Sequence, residues 1–248
     1  MELAQAQAPA ARRRRPRVTR VEARKLEVLE ALGVTAYVPR ERPTQAAASA
    51  SAPSATVPPG PDWEELVATV RDCRLCGLCE TRTQTVFGVG DRRARLMVIG
   101  EAPGAEEDRQ GEPFVGRAGI LLNAMLRAAG FERSEVYVAN VIKCRPPHNR
   151  DPSHEESSRC LPYLRRQIEL VAPAVILCVG RIAAQRLFGT EAPLARMRGR
   201  VHDLDGVPVV VTYHPAYLLR SPGEKRKAWE DLKIALRVLE SRPRGDGA

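Results

Sequence analysis

Leu96-Met97-Val98-Ile99-Gly100-Glu101-Ala102-Pro103-Gly104 is the stretch that decides the fold. Its apolar run is the length of a strand, has no polar alternation, and stops at a Gly/Pro turn, which is the pattern of a strand buried on both faces. Similar runs recur at Val136–Val141, Val175–Gly180 and Val207–Thr212. Helical patterns fill the gaps: Gly119–Ala129, closed by Gly130; Ser153–Val171, stopped by Pro173; and Arg181–Phe188. A further helix, Glu224–Ser241, follows the last strand. Apolar strands alternating with helices imply an α/β fold, a three-layer α/β/α arrangement around a central, mostly parallel four-stranded sheet. Ligands of such sheets sit beyond the carboxyl ends of the strands. Glu101, Asn140 and His214 all fall there.

Upstream, Asp62 is placed to cap a helix over Trp63–Val70, so the domain is expected over 62–241. Residues 1–61 read as a largely disordered extension. Within it, 1–18 are rich in Ala, Gln, Arg and Pro, 19–32 have an apolar stripe (Val21, Leu26, Leu29, Leu32) fit for one amphipathic helix, and 43–61 have linker composition. Residues 242–248 read as a disordered tail.

The chain of 248 residues carries a formal net charge of +9, and ten Lys/Arg against five Glu in residues 1–60 put +5 of it there. Basic excess attracts polyanions, or simply solubilises a tail. No run of 18 apolar residues exists, so no membrane span is expected. The N-terminus lacks the apolar stretch of a secretory signal, and six cysteines without one suit thiol chemistry in a reducing cytoplasm.

Cys73 and Cys76 form a C-x2-C pair that overlaps a second one, Cys76 and Cys79. Cys144 and Cys160 bracket the polar loop Arg145-Pro-Pro-His-Asn-Arg-Asp-Pro152. Four soft thiolates from two distant segments serve an iron–sulfur cluster or a four-cysteine zinc site equally well on paper. Cys178 lies inside an apolar strand and reads as core. The acidic run Gly100–Asp108 lacks the Lys and Ser/Thr of a phosphate loop, which argues against nucleotide hydrolysis.

These elements occur in a fixed order: the cysteine pair, Gly100-Glu-Ala-Pro-Gly104, Gly111-Glu-Pro-Phe-Val-Gly116, Asn140, Lys143-Cys-Arg-Pro-Pro147, and His214-Pro-Ala-Tyr-Leu-Leu-Arg220. Together they resemble the family 4 uracil-DNA glycosylases, over roughly residues 63–240. The resemblance implies a [4Fe-4S] cluster on Cys73, Cys76, Cys144 and Cys160, with Cys79 a bystander by its distance from Val86-Phe-Gly88. It implies a base pocket lined by Glu101 and Ala102, with Glu107 excluding the thymine methyl and Phe114 stacking on the flipped base. Asn140 then reads uracil with one donor and one acceptor, and His214 donates to the departing uracil anion. Tyr217, Leu218, Leu219 and Arg220 form an expected exposed loop that wedges into DNA, while Arg198 and Arg200 are candidate phosphate contacts.

The expected activity is monofunctional hydrolysis of the N-glycosidic bond of uracil in DNA, by a monomer. The alternatives are a non-catalytic nucleic-acid module on a four-cysteine metal centre, or a related branch that traps uracil-DNA covalently through a histidine. The position of that histidine, counted from Pro152, holds Asn149, next to His148.

Overall fold

The computed structural model describes residues 60–242. The expected extension and tail lie outside the described residues apart from Gly60, Pro61 and Arg242, as does the apolar stripe of residues 19–32. The chain runs α1 (Trp63–Arg71), β1 (Val89–Gly90), β2 (Leu96–Gly100), α2 (Ala105–Gln110), α3 (Arg117–Ala128), β3 (Tyr137–Asn140) and α4 (His154–Val171). It continues through β4 (Val175–Val179), α5 (Arg181–Phe188), α6 (Leu194–Met197), β5 (Val201–Leu204), β6 (Val207–Thr212), α7 (Pro215–Arg220) and α8 (Lys225–Ser241).

The strands form one sheet in the order β1-β3-β2-β4-β6-β5. β2, β3, β4 and β6 are mutually parallel, as the four apolar runs imply. The sheet is wider than expected because β1 and β5 add antiparallel edges. Neither had a strand signature: β1 is two residues long, and β5 is largely exposed and polar. Short or polar edges also deny a neighbouring chain a template for pairing.

Alternate residues of each inner strand feed opposite layers. Met97, Ile99, Ile176, Cys178, Val209 and Val211 pack with Leu164, Ile168, Ala183 and Leu187 of α4 and α5. Leu96, Val98, Val138, Leu177 and Val210 pack with Leu122 and Leu126 of α3 and with Leu232, Ala235 and Leu239 of α8. Each fully buried aliphatic side chain contributes roughly 1.5–3 kcal/mol, so both layers are held by apolar burial.

Helix ends follow the capping residues. The Asp62 side chain accepts from Glu65 N at 2.9 Å and the Glu65 carboxylate from Asp62 N at 3.2 Å, a reciprocal cap. Trp63 then packs edge-on against Phe87 and Tyr137 at 5.5 and 5.4 Å, fixing α1 on the α4 side. Ser153 caps α4, and Ala172 in a left-handed conformation ends it before Pro173. No helix among the described residues is long and apolar enough to cross a membrane.

Candidate active site and cysteine centre

The carboxyl ends of β2, β3 and β6 open into one cleft. It is lined by Glu101, Ala102, Glu107, Phe114, Asn140, His214 and Arg220, so seven of the expected site residues share it. Asn140 lies opposite Gly100 in the parallel register of β2 and β3. It is 2% exposed, and its Oδ1 is buried with no hydrogen-bond partner among the described residues. A Cβ on Gly100 would stand 2.4 Å from that oxygen and 2.6 Å from the Phe114 ring, so the strand has to end on glycine.

Phe114 is held in a left-handed conformation (φ 55), unusual for a non-glycine residue. Its ring is nearly buried and stacks on the His214 imidazole at 5.6 Å and 29°. Two contacts support this conformation. Gly119 passes so close to the Phe114 carbonyl that an added Cβ would stand 1.7 Å from its oxygen. Glu107 accepts from Val115 N and Gly116 N at 3.0 and 3.1 Å through Oε1, and from Gly104 N at 3.1 Å through Oε2. One carboxylate thus binds the turn after β2 to the turn that carries Phe114. Glu107 sits on the short helix α2, which begins inside the acidic run.

His214 caps α7 with its own ring, whose Nδ1 accepts from Ala216 N at 3.1 Å. That bond leaves the ring proton on Nε2. Burial, reinforced by Arg220, pushes the imidazole down to about 4, with Glu107 opposing, so it is a neutral donor at neutral pH. Glu101 moves the other way. Burial and the neighbouring Asp151 push it up to about 7, against the pull of Arg181 and Arg186.

The loop between Cys144 and α4 supplies lining residues that the motifs did not single out, Arg150 and Asp151, with Pro146 and Asn149 beside them. Asn149 Oδ1 accepts from Arg145 Nε at 2.7 Å, and Arg150 binds Glu156 through two bonds of 2.6 and 2.8 Å. His148 is not among the lining residues. The signal for this loop lay in its own composition, a polar run abutting a cysteine.

Two expectations need correction. Leu218 is not an exposed wedge: α7 is a helix that turns Leu218 inward to 1% exposure beside Leu121 and Leu232, leaving Tyr217 and Arg220 exposed and Leu219 half-buried. Arg198 is not a free phosphate contact. It pairs with the fully buried Asp231 at 3.0 and 3.1 Å and lies over the Tyr213 ring at 5.2 Å. Asp231 also accepts from Thr212 Oγ1 at 2.9 Å, so this network anchors the end of β6 just before His214.

On the α4 side, Cys73, Cys76, Cys144 and Cys160 line a common recess, and Cys79 lines it too. Cys144 lies within electrostatic reach of Arg82, Cys76 and Cys73, and Cys160 within reach of Lys143, Cys144 and Cys73. Cys79 lies within the same reach of Cys76 and Arg82. Arg82 Nη1 donates to Cys144 Sγ at 2.9 Å, and Lys143 N to Cys160 Sγ at 3.3 Å. Burial pushes the Cys160 thiol up to about 12 and raises Cys144 and Cys76. Among the described residues, no three His, Cys, Asp or Glu side chains are grouped as ligands of a metal ion. The recess wall nevertheless offers thiols beside Arg82, Lys143 and Arg159 without a carboxylate or imidazole, a donor set suited to an anionic, soft-metal group. Cys178 is fully buried core in β4.

The family model described as the uracil DNA glycosylase superfamily matches residues 87–233. The type-4 uracil-DNA glycosylase of Archaeoglobus fulgidus is 44% identical over 178 residues, covering 68% of this chain and 89% of the relative. That of Thermotoga maritima is 43% identical over 170 residues, covering 67% and 88%. The type-5 enzyme of Pyrobaculum aerophilum is 34% identical over 147 residues, covering 52% and 64%. With the higher identity and the fuller coverage both on the type-4 side, the chain belongs to the uracil DNA glycosylase superfamily and, within it, to the type-4 family.

Proposed function

We propose that this chain is a uracil-DNA glycosylase that flips uracil out of DNA and hydrolyses its N-glycosidic bond, releasing free uracil and an abasic site. The observation that carries the reading is the unpartnered Oδ1 of buried Asn140, in the same cleft as the neutral His214 donor and the Phe114 ring. A buried acceptor without a partner costs about 1–3 kcal/mol, which a matching ligand donor recovers. Uracil N3–H is such a donor. The Asn140 amide N–H then meets uracil O4. Cytosine presents the reverse pattern and is rejected.

The roles follow from the chemistry of each group. Phe114 stacks on the extruded base. As the C1′–N1 bond breaks, charge builds on uracil O2, and His214 Nε2–H stabilises it without a change in protonation. Glu101, with a proton affinity near neutrality, takes the proton of the water that adds to C1′ and returns it to the uracil anion. Ala102 and Glu107 close the pocket against the thymine methyl. Arg220 holds phosphate, and Leu219 with Tyr217 replaces the base in the stack. No lysine lines the cleft among the described residues, which supports hydrolysis without a Schiff base. Asn149 at the trapping position, bonded to Arg145, and His148 outside the lining favour turnover over covalent capture.

Cys73, Cys76, Cys144 and Cys160 are assigned to a [4Fe-4S] cluster. Thiols distributed over the wall of a recess suit a polynuclear group. When bound, it cross-links the segment after α1, the segment after β3 and helix α4. The test is incubation with a uracil-containing oligonucleotide, alkali treatment and a gel, with free uracil quantified. Several turnovers per chain are expected, and no release of uracil would overturn the proposal.

A further inference from the structure

Lys143 is 1% exposed, and its ammonium is wholly enclosed. It lies one residue before Cys144, yet it does not enter the base cleft. Its Nζ donates to the Asn140 carbonyl at 2.8 Å and to Gln167 Oε1 at 2.5 Å. Gln167, on α4 and likewise fully buried, donates in turn to Phe87 O at 3.0 Å and Tyr137 Oη at 3.1 Å. The 140–141 peptide, which follows the Asn140 α-carbon, is therefore pinned at both of its polar atoms. Its carbonyl, that of Asn140, is held by Lys143, and its amide, Val141 N, donates to Gly100 O at 2.9 Å. With that peptide fixed, and the preceding one held in the parallel ladder that pairs Asn140 with Gly100, the direction of the Asn140 Cα–Cβ bond is fixed as well, and the side chain is aimed into the cleft.

We infer that Lys143 is a positioning residue for base recognition: by clamping the Asn140 carbonyl to Gln167 of α4, it sets the angle at which the Asn140 amide meets the base. The inference rests on the reading of Asn140 as the group that recognises uracil. Without the ammonium, the Asn140 carbonyl and Gln167 Oε1 lose a buried donor. The 140–141 peptide then turns to find another, and the amide turns with it. The backbone N–H of the same lysine bonds Cys160 Sγ, so the clamp stands between the cysteine centre and the pocket.

The test is a double-mutant cycle on the iron-loaded full-length protein, with single-turnover cleavage of a uracil-containing single-stranded oligonucleotide as readout. Lys143→Met keeps the length and apolar stem and removes the donors. It is expected to retain wild-type iron content and oligonucleotide affinity while slowing cleavage by roughly 10–100-fold, the scale of a small misplacement of a binding group. Asn140→Ala removes the group being aimed, so the double variant should cleave within about threefold of Asn140→Ala alone. Rates that multiply instead would overturn the inference and leave Asn140 in its role. An Asn140→Ala variant with the wild-type rate would sink the pocket reading and the inference with it. Should Lys143→Met lose iron or fail to fold, Gln167→Met, which keeps the lysine and removes its anchor, runs the same cycle. Independent effects there are equally decisive against the clamp.

Discussion

His214 Nδ1 accepts the amide of Ala216 at 3.1 Å, so the ring that begins α7 is locked as a neutral donor with its proton on Nε2. Removing that donor in His214→Ala should lower the single-turnover rate by roughly 10²–10³-fold, the usual loss for one oxyanion contact, with little change in DNA affinity. An unaltered rate would remove His214 from the mechanism.

The same burial makes His214 a source of acid sensitivity in the fold. The folded group titrates near 4 and the unfolded one near 6.5. Between those values the unfolded chain binds more protons. Its contribution is complete above pH 6.5 and is lost as pH falls towards 4. Denaturant unfolding should show that slope in the wild type and less of it in His214→Asn, whose side chain can still cap α7.

Glu101 has the opposite sign. With a folded value near 7 against 4.5 unfolded, its burial favours folding most below pH 4.5 and progressively less as pH rises through 7. Cleavage, which needs the carboxylate, should rise with pH to a plateau just above 7. Glu101→Gln should be slow with that inflection gone, yet more stable than the wild type at pH 9. A profile unchanged in shape would assign the inflection to another group.

Gly100→Ala tests the packing of the pocket. The new methyl would meet Asn140 Oδ1 at 2.4 Å and the Phe114 ring at 2.6 Å, and both neighbours are buried. We expect a folded protein that retains its iron and has lost most cleavage; full activity would mean that the base binds elsewhere.

For the cysteine centre, about four irons per chain are expected after anaerobic purification. Substituting Cys73, Cys76, Cys144 or Cys160 by Ala should strip them, whereas Cys79→Ala and Cys178→Ala should keep them. Because Cys79 also lines the recess, its variant is the sharpest check on the ligand set, and iron analysis decides it.

Deleting residues 1–59 removes a net +5 of charge. Log-affinity for long DNA should then depend less steeply on log salt if those arginines reach phosphates. Superimposable slopes would show that they do not.

The four inner strands and their helices were legible because burial on both faces leaves uninterrupted apolar runs, and because Asp62, Ser153 and Pro173 mark helix ends by local chemistry. The edges β1 and β5 were not, since a two-residue strand and a polar one owe their existence to a partner strand rather than to a pattern. The site was legible as residue types at strand ends. What the sequence concealed was direction. A short helix over 215–220 rotates Leu218 into the interior and leaves Leu219 half-buried, and Arg198 is claimed by an acid 33 positions away. The three-way grip of Glu107 was equally hidden, because two of its three donors, Val115 N and Gly116 N, reach it only through the left-handed turn at Phe114.

The thiol recess has a consequence in time and in the cell's economy of iron. Cys73 and Cys76 are made long before Cys160, and they meet it only once β2 and β3 have paired and α4 has docked on them. Loading of the proposed cluster would therefore come late, on a nearly finished fold. A bound cluster would bridge a long stretch of chain, and bridges of that span weigh most against the unfolded ensemble. Scarcity of iron should then show itself first as fewer surviving molecules, cleared by quality control, rather than as a standing pool of intact but idle enzyme.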